Sequence, residues 1–427
     1  MAKTISLNNY TVRGVLTCPS DKSISHRALM FASISEGKTV INRLLQSDDC
    51  QATKQALIQC GIKMEEKGNQ LIVYGQPLWQ WSGERQQLNL HNSGTSMRLL
   101  LGLLANKKGV THFIGDSSLN QRPMKRVIHP LENMGAMITS QSGHAPLSLT
   151  GQRLHGICYT LPVASAQVKS AIILAGIHAE GDTFIEEPIP SRDHTERMLP
   201  YFNGKIIKHK ESIMVPGNQY LKGTSIKIPG DISSAAFFMT AAVLAKNSQL
   251  TIKEVGLNET RIGFLNVLQR MGANIDIEVT ENEFEPIGTI QISSSNLKGV
   301  RIDKTIIPTL IDELPLIALL ATQAKGETII TGAEELAVKE CNRLEAVATN
   351  LNKMGADITV TDDGWMIKGE TALHGASLCS YNDHRIAMMA VIASLISQEE
   401  ITIDDINCIS VSYPNFFDDL YTLIKKQ

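Results

Sequence analysis

The chain of 427 residues carries 40 Lys+Arg against 43 Asp+Glu, a formal charge of only −3, so it lacks the basic face that a general nucleic-acid binder needs. Aromatic residues at 5% leave few stacking platforms, while 43% apolar residues suffice for sizeable cores and exclude wholesale disorder. The length suggests two or three domains.

The opening MAKTISLNNYTVRG has no apolar signal-peptide core. No apolar run approaches the roughly 18 residues of a membrane span, and the richest, around 233–245, is interrupted by polar residues. Seven scattered cysteines without a Cys-x-x-Cys pair fit free thiols in a reducing compartment. The expectation is a soluble cytoplasmic protein with no membrane contact, in which the sequons at Asn9 and Asn258 are meaningless.

A β-branched stretch near residues 5–17 predicts the first strand. Six segments then share one grammar: a polar start, a helical run rich in Ala, Leu, Ile and Met, a break, and a β-branched stretch. They begin at Ser20, Asn92, Ser165, Asp231, Asp312 and Asp383, roughly 65–80 residues apart, and a recurring period is a statement about architecture. Each repeat carries a second, amphipathic helical pattern. Three of these end in Met-Gly-Ala, at Gly135, Gly272 and Gly355, and Cys60-Gly61-Ile62 is a degenerate copy. Glycine there suits a helix C-terminus at positive φ, and the β-branched residues after it suit a strand. The first helices, apolar on most sides, should lie inside and the second outside. The Pro-small-Asp turns at Pro19-Ser20-Asp21 and Pro229-Gly230-Asp231 divide the chain into two domains of three repeats, 19–229 and 1–18 plus 230–427.

Ionic and hydroxyl side chains gather at the starts of these helices: Lys22, Ser23 and Arg27; Asn92, Thr95 and Arg98; Ser165, Gln167 and Lys169; Asp383, His384 and Arg385. Lys339, Glu340 and Arg343 cluster between the helices of the fifth repeat, and Arg122 precedes a proline at a helix entrance. Each group reads in one of two ways, as ordinary N-caps with solvated charges or as an anion site built on helix N-termini. Arg27, Arg98 and Arg385 sit inside apolar runs, where unpaired charge is expensive. A small, multiply anionic substrate would supply the partners, and the planar arginine fork suits carboxylate and phosphate. Asp312 and Glu313 are N-caps or, facing an anion site, groups that move a proton. Asp48-Asp49 reads as capping. No phosphate loop, dinucleotide fingerprint or metal-ligand spacing is present, so the chemistry should come from side chains alone.

The motifs DKSISHRA, NSGTSMR, GDSSLNQRPM, PVASAQVKSAIILAG, SRDHTERML, VKECNR and NDHRIAMM follow one another in that order. In this the chain resembles the bacterial members of the 5-enolpyruvylshikimate-3-phosphate synthase (3-phosphoshikimate 1-carboxyvinyltransferase) family, over nearly its whole length. The resemblance implies an α/β, two-lobed enolpyruvyl transferase fold, each lobe three βαβαββ repeats, with the active site in the interlobe cleft. It implies transfer of the enolpyruvyl group of phosphoenolpyruvate to the 5-hydroxyl of shikimate 3-phosphate through a tetrahedral intermediate, with release of phosphate. A monomer without cofactor or metal is implied as well. Carried over residue by residue, shikimate 3-phosphate should meet Lys22, Ser23, Arg27, Ser165, Ala166, Gln167, Arg192, Asp312 and Lys339. Phosphoenolpyruvate should meet Lys22, Gly94, Arg122, Gln167, Arg343 and Arg385. The resemblance makes Asp312 the base for the hydroxyl and Glu340 the group exchanging a proton with the methylene carbon; Lys22 acts at the bridging or leaving oxygen.

This chain departs from the family pattern at Cys18 and Ser20 (usually Val and Gly), Leu99 (often Pro), Asn342 (often an acid), Asn382 (usually Gly) and Val411 (Lys in some relatives). Gly94 leaves room for glyphosate, which implies sensitivity. The alternatives are a UDP-N-acetylglucosamine enolpyruvyl transferase, whose reactive loop cysteine has no counterpart in residues 114–124, and a catalytically inactive anion-binding protein of the same fold.

Overall fold

In five of the six repeats the polar residue before the apolar run closes the first helical turn. Asp21, Ser93, Ser165, Asp231 and Asp383 stand at the N-caps of helices Lys22–Ile34, Gly94–Leu104, Ala166–Gly176, Ile232–Leu244 and His384–Ala393, each accepting a first-turn backbone N–H. Such a contact contributes about 1 kcal/mol per helix. The fifth helix, Leu314–Thr322, departs from this: Glu313 makes no capping bond, and Pro315 stands where a missing N–H costs nothing. Of the two readings of Asp312 and Glu313, side-chain capping is therefore not the one this helix shows. All six helices are buried along nearly their whole length, as apolar character on every side requires.

The computed structural model describes residues 2–426, and the chain divides into two compact units, Ser20–Ile228 and Met1–Pro19 with Pro229–Gln427. In the first unit each repeat builds a four-stranded mixed sheet. Strand Gln86–Asn89 runs parallel to Val110–Ile114, and the hairpin Met137–Gln141/His144–Thr150 adds antiparallel to it. Cys158–Thr160, Thr183–Glu186, Ser212–Val215 and Ile207–His209 repeat that order. The remaining sheet of this unit takes its opening strand, Ser225–Lys227, from the end of the unit, parallel to Gly37–Asn42.

The second unit repeats the scheme with three variations, the first being that one sheet gains a fifth strand, Ile424–Lys426, antiparallel to the chain at Tyr10–Val12. The single strand expected over 5–17 is two strands, parted by a turn in which Asn9 adopts φ 69°. Tyr10–Thr17 pairs parallel with Gln249–Gly256, and Lys3–Ile5 pairs antiparallel with Ile401–Ile403. The sixth repeat has no hairpin of its own, so its sheet stops at three strands.

The expected glycine turns follow the outer helices. Gly61, Gly135, Gly272 and Gly355 all lie at φ between 91° and 99°, a region a Cβ disfavours. The helix that leads to Gly135 runs over Lys125–Asn133 and carries Pro130 inside it. The side chain of Asn258 is buried and donates to Glu285 at 2.8 Å, which leaves it inaccessible to a glycan. No helix among the described residues is long and apolar enough to cross a membrane, and all seven cysteines are unbridged.

His26, on the first central helix, shares a 2.7 Å hydrogen bond with Thr53, and burial pushes its pKa down to about 3. His178 is lowered to about 4 for the same reason. An unfolded histidine titrates near 6.5, so below that pH the unfolded chain takes up protons that the folded chain refuses, and stability falls as pH falls. Between pH 6.5 and 5, His26 alone should remove roughly 2 kcal/mol. In thermal melts His26→Asn should show a shallower loss of Tm over that interval than the parent chain. An unchanged slope would show that His26 does not carry the acid sensitivity.

Candidate functional site

In the Ser20–Ile228 unit the central helices end their first turns in a common polar region. Gly94 opens its helix where a Cβ would lie 3.0 Å from Arg122 Nη1 and 3.3 Å from Arg98 Nη1. Two guanidinium groups thus converge over one helix N-terminus. Arg122 is held by Asn92 Oδ1, and Asn92 donates in turn to Asp116 at 2.7 Å. Arg98 donates to Gln167 Oε1 at 2.5 Å, and Gln167 Nε2 donates to Thr95 Oγ1 at 3.0 Å, which ties the second central helix to the third. Converging positive charge at a helix N-terminus favours an anion.

Ser165 caps the third helix, and Ser165, Ala166, Gln167 and Arg192 are half-buried. Lys22 and Ser23 are half-buried on the first helix, where Lys22 Nζ pairs with Asp49 at 3.0 Å. Asp49 was expected to cap its own helix; instead it faces Lys22, a contact across 27 residues that local pattern cannot reveal. Arg27 is buried, and its three nitrogens donate to Thr195 Oγ1 at 2.7 Å, Ser170 Oγ at 2.6 Å and the Ser23 carbonyl at 2.9 Å. These three acceptors orient the guanidinium.

Two expectations fail here. Lys169 does not join the anion-facing group: it points inward, fully buried, with Nζ 2.8 Å from Glu187 and 2.7 Å from Glu196. It is four residues after Ser165, yet the helix rotates it to the core side. Arg98 lies inside an apolar run but is half-exposed, because its long stem carries the charge outward.

In the other unit the charges form one dense network around Arg343, which is only 1% exposed. Its Nε donates to Asp383 Oδ2 at 2.7 Å, and its Nη2 reaches Asp383 Oδ1 at 3.2 Å and Glu340 at 2.6 Å. Nη1 lies 3.5 Å from Asp312. Asp312 also lies 3.7 Å from Arg385 Nη2, while its carbonyl accepts from Arg385 Nη1 at 3.2 Å. Burial works against the charge on Arg343, but Asp383, Glu340 and Asp312 outweigh it and raise its pKa. Burial likewise works against the Asp383 carboxylate, and Arg343 holds it below the usual range. Burial and Asp383 together push the Cys341 thiol up, so it stays protonated. Asn342 caps the Arg343–Lys353 helix. Asn382 adopts φ 54°, which asparagine tolerates where glycine is usual. Lys339 is half-buried beside Glu340.

Within the units, then, the structure brings together Gly94, Arg122 and Gln167 in one, and Asp312, Glu340, Arg343 and Arg385 in the other. Sequence reasoning gave Asp49 a capping role only, and placed Asp383 in a helix-start group without identifying Arg343 as its partner. Arg98 was noted but not assigned to a ligand. No group of His, Cys, Asp and Glu among the described residues could hold a metal ion.

Comparison with known proteins is consistent from end to end. The family described as EPSP synthase (3-phosphoshikimate 1-carboxyvinyltransferase) matches residues 8–420. The 3-phosphoshikimate 1-carboxyvinyltransferase of Bacillus pumilus strain SAFR-032 is 47% identical over 97% of this chain and 98% of its own. That of Listeria monocytogenes serovar 1/2a is 47% identical over 98% and 99%. The solved EPSP synthase of Acinetobacter baumannii superimposes with a TM-score of 0.88 at 40% identity, covering 99% of each chain. The enolpyruvyl transferase NikO of Streptomyces tendae, with a TM-score of 0.81 at 17% identity, shares the fold alone.

Proposed function

We propose that this chain, which belongs to the EPSP synthase (3-phosphoshikimate 1-carboxyvinyltransferase) family, carries its reaction on the two charged clusters. Its activity is that of the family in the shikimate pathway, transfer of the enolpyruvyl group of phosphoenolpyruvate to shikimate 3-phosphate. The reading assigns residues of both units, read as lobes of three βαβαββ repeats, to one pair of substrates.

The supporting observation is the arrangement of Asp312 and Glu340 around two guanidinium groups. Arg122, Arg343 and Arg385 hold the phosphate and carboxylate of phosphoenolpyruvate. Lys22, Ser23, Arg27, Ser165, the Ala166 backbone, Gln167, Arg192 and Lys339 hold shikimate 3-phosphate. Asp312, oriented by its two arginine contacts at 3.5 and 3.7 Å, takes the proton of the 5-hydroxyl as that oxygen bonds to the central enolpyruvyl carbon. Glu340 delivers a proton to the methylene carbon, forming the tetrahedral intermediate, and removes one from the resulting methyl group as phosphate leaves. Lys22 stabilises charge on the bridging oxygen. Fixed cations around developing negative charge do most of the catalytic work, without covalent or metal chemistry. Val411 offers no cation, so the donor is held by one fewer contact than in relatives with Lys there. We read the enzyme as a cytoplasmic monomer, on its free thiols and its resemblance to the family.

Phosphate release measured with both substrates tests the reading. Release should require shikimate 3-phosphate together with phosphoenolpyruvate, and should not occur with UDP-N-acetylglucosamine as acceptor. Release with the nucleotide sugar alone would reassign the chain, and no release with either would make it an inactive anion binder. Gly94→Ala adds a finer check. Its methyl would push on Arg122 and Arg98 at 3.0 and 3.3 Å, and should raise KM for phosphoenolpyruvate about tenfold, a loss of roughly 1.4 kcal/mol. Inhibition by glyphosate, competitive with phosphoenolpyruvate in the parent, should weaken at least as much. Unchanged KM and inhibition would remove Gly94 from the donor site.

A further inference from the structure

The outward face of the Gln86–Asn89, Val110–Ile114, His144–Thr150 and Met137–Gln141 sheet holds a cavity of about 390 Å³ lined by none of the residues assigned above. Strand register builds its floor. Gln87 lies opposite His112, His112 opposite Ser148, and Ser148 opposite Thr139. Alternation along the strands puts these polar side chains on one face, and Leu88, Phe113 and Leu149 on the buried one.

The hydrogen-bond polarity of this row is settled by one contact. Arg85 Nε, a donor only, reaches His112 Nε2 at 2.8 Å. An imidazole nitrogen that accepts carries no proton, so the neutral ring is protonated at Nδ1, and Nδ1–H donates to Ser148 Oγ at 2.6 Å. The hydroxyl proton of Ser148 is thereby turned away from the ring. Ser140 Oγ accepts from the Gly143 N–H at 3.0 Å, so its proton too is left to donate elsewhere. With the terminal amino groups of Arg85 and the Thr139 hydroxyl, the lining offers several donors and one fixed positive charge, and it contains no carboxylate.

We propose that this cavity is a binding site for a small oxyanion, a phosphate or carboxylate group, separate from the residues that carry the enolpyruvyl transfer. The Arg85 fork takes two oxygens, and the hydroxyls of Ser148 and Thr139 donate to the remainder. The relay through His112 holds Arg85 in place before the anion arrives, which reduces the entropy lost on binding.

The test follows the His112 imidazole nitrogens by NMR in the full chain, assigned with His112→Asn. Inorganic phosphate and, separately, malonate are titrated to about 20 mM at constant ionic strength, which covers millimolar affinity. A saturable shift at His112 is expected with at least one of them, weakened at least tenfold by Arg85→Met and several-fold by Ser148→Ala. Saturation by phosphate alone, or by malonate alone, supports the proposal and assigns the oxyanion class. Turnover of Arg85→Met, measured alongside, should stay within about twofold of the parent, so failure of this site and failure of the catalytic reading are told apart. No saturable shift with either anion, or a shift that persists unchanged in Arg85→Met, would overturn the proposal.

Discussion

Asp312→Ala is expected to lower kcat about a thousandfold, within the range that removal of a positioned general base costs, while equilibrium binding of shikimate 3-phosphate weakens by less than about tenfold. The asymmetry follows from the local geometry. Arg343 keeps both oxygens of Asp383 and the Glu340 carboxylate, so loss of Asp312 does not release it. Arg385 keeps its backbone contact to the Asp312 carbonyl, which the alanine variant retains. The electrostatic frame therefore persists while the group proposed to accept the hydroxyl proton is gone. Asp312→Asn preserves the shape and should be nearly as impaired, which separates loss of basicity from loss of packing. Steady-state turnover combined with calorimetric titration checks this. A kcat within tenfold of the parent in either variant would remove Asp312 from the proton path.

Lys169→Met should produce the largest loss of stability of any single substitution considered, in the range of about 3–5 kcal/mol. Lys169 is the cation for two buried carboxylates, Glu187 and Glu196. Glu187 also accepts from the backbone N–H of Ser191 at 2.9 Å, so it retains a donor, whereas burial already raises the pKa of Glu196 against the opposing pull of Lys169. Without the lysine, Glu196 must be buried either charged and unpaired or protonated. The penalty should accordingly shrink from pH 8 towards pH 5, as protonation of Glu196 becomes easier. For a unit of this size each kcal/mol moves Tm by about 2–4 °C, so a fall of about 6–20 °C is expected. Adding Glu196→Gln to Lys169→Met should recover part of it, since the double variant no longer buries that charge. A single variant as stable as the parent would mean that the buried network contributes nothing to the fold.

Much of this protein was legible one residue at a time. The six-fold recurrence of a polar start and an apolar run was enough to place the central helices, because a capping side chain and the two or three residues after it interact within one turn and need no tertiary partner. The glycines ending the outer helices were legible for the same reason: positive φ is a local demand, and Gly61 meets it although its surrounding sequence has drifted from the Met-Gly-Ala pattern.

The charges were only half legible. Residue type and spacing marked Arg343, Arg385, Asp312 and Glu340 as neighbours of chemistry, and the structure gathers them around one buried guanidinium. The same signals misjudged Lys169, which looks like Lys22 in sequence but turns inward to two glutamates, and Asp49, which looks like a cap but faces Lys22. The amino-acid sequence by itself thus determined where most central helices begin, where the outer helices end in glycine, and which family the motifs resemble. Only the tertiary structure decided which charges are paired within the protein and which distant segments supply their partners. The physical reason is range: caps and turns are settled over a few bonds, whereas the partner of a buried charge comes from whichever distant segment the fold brings within about 4 Å of it.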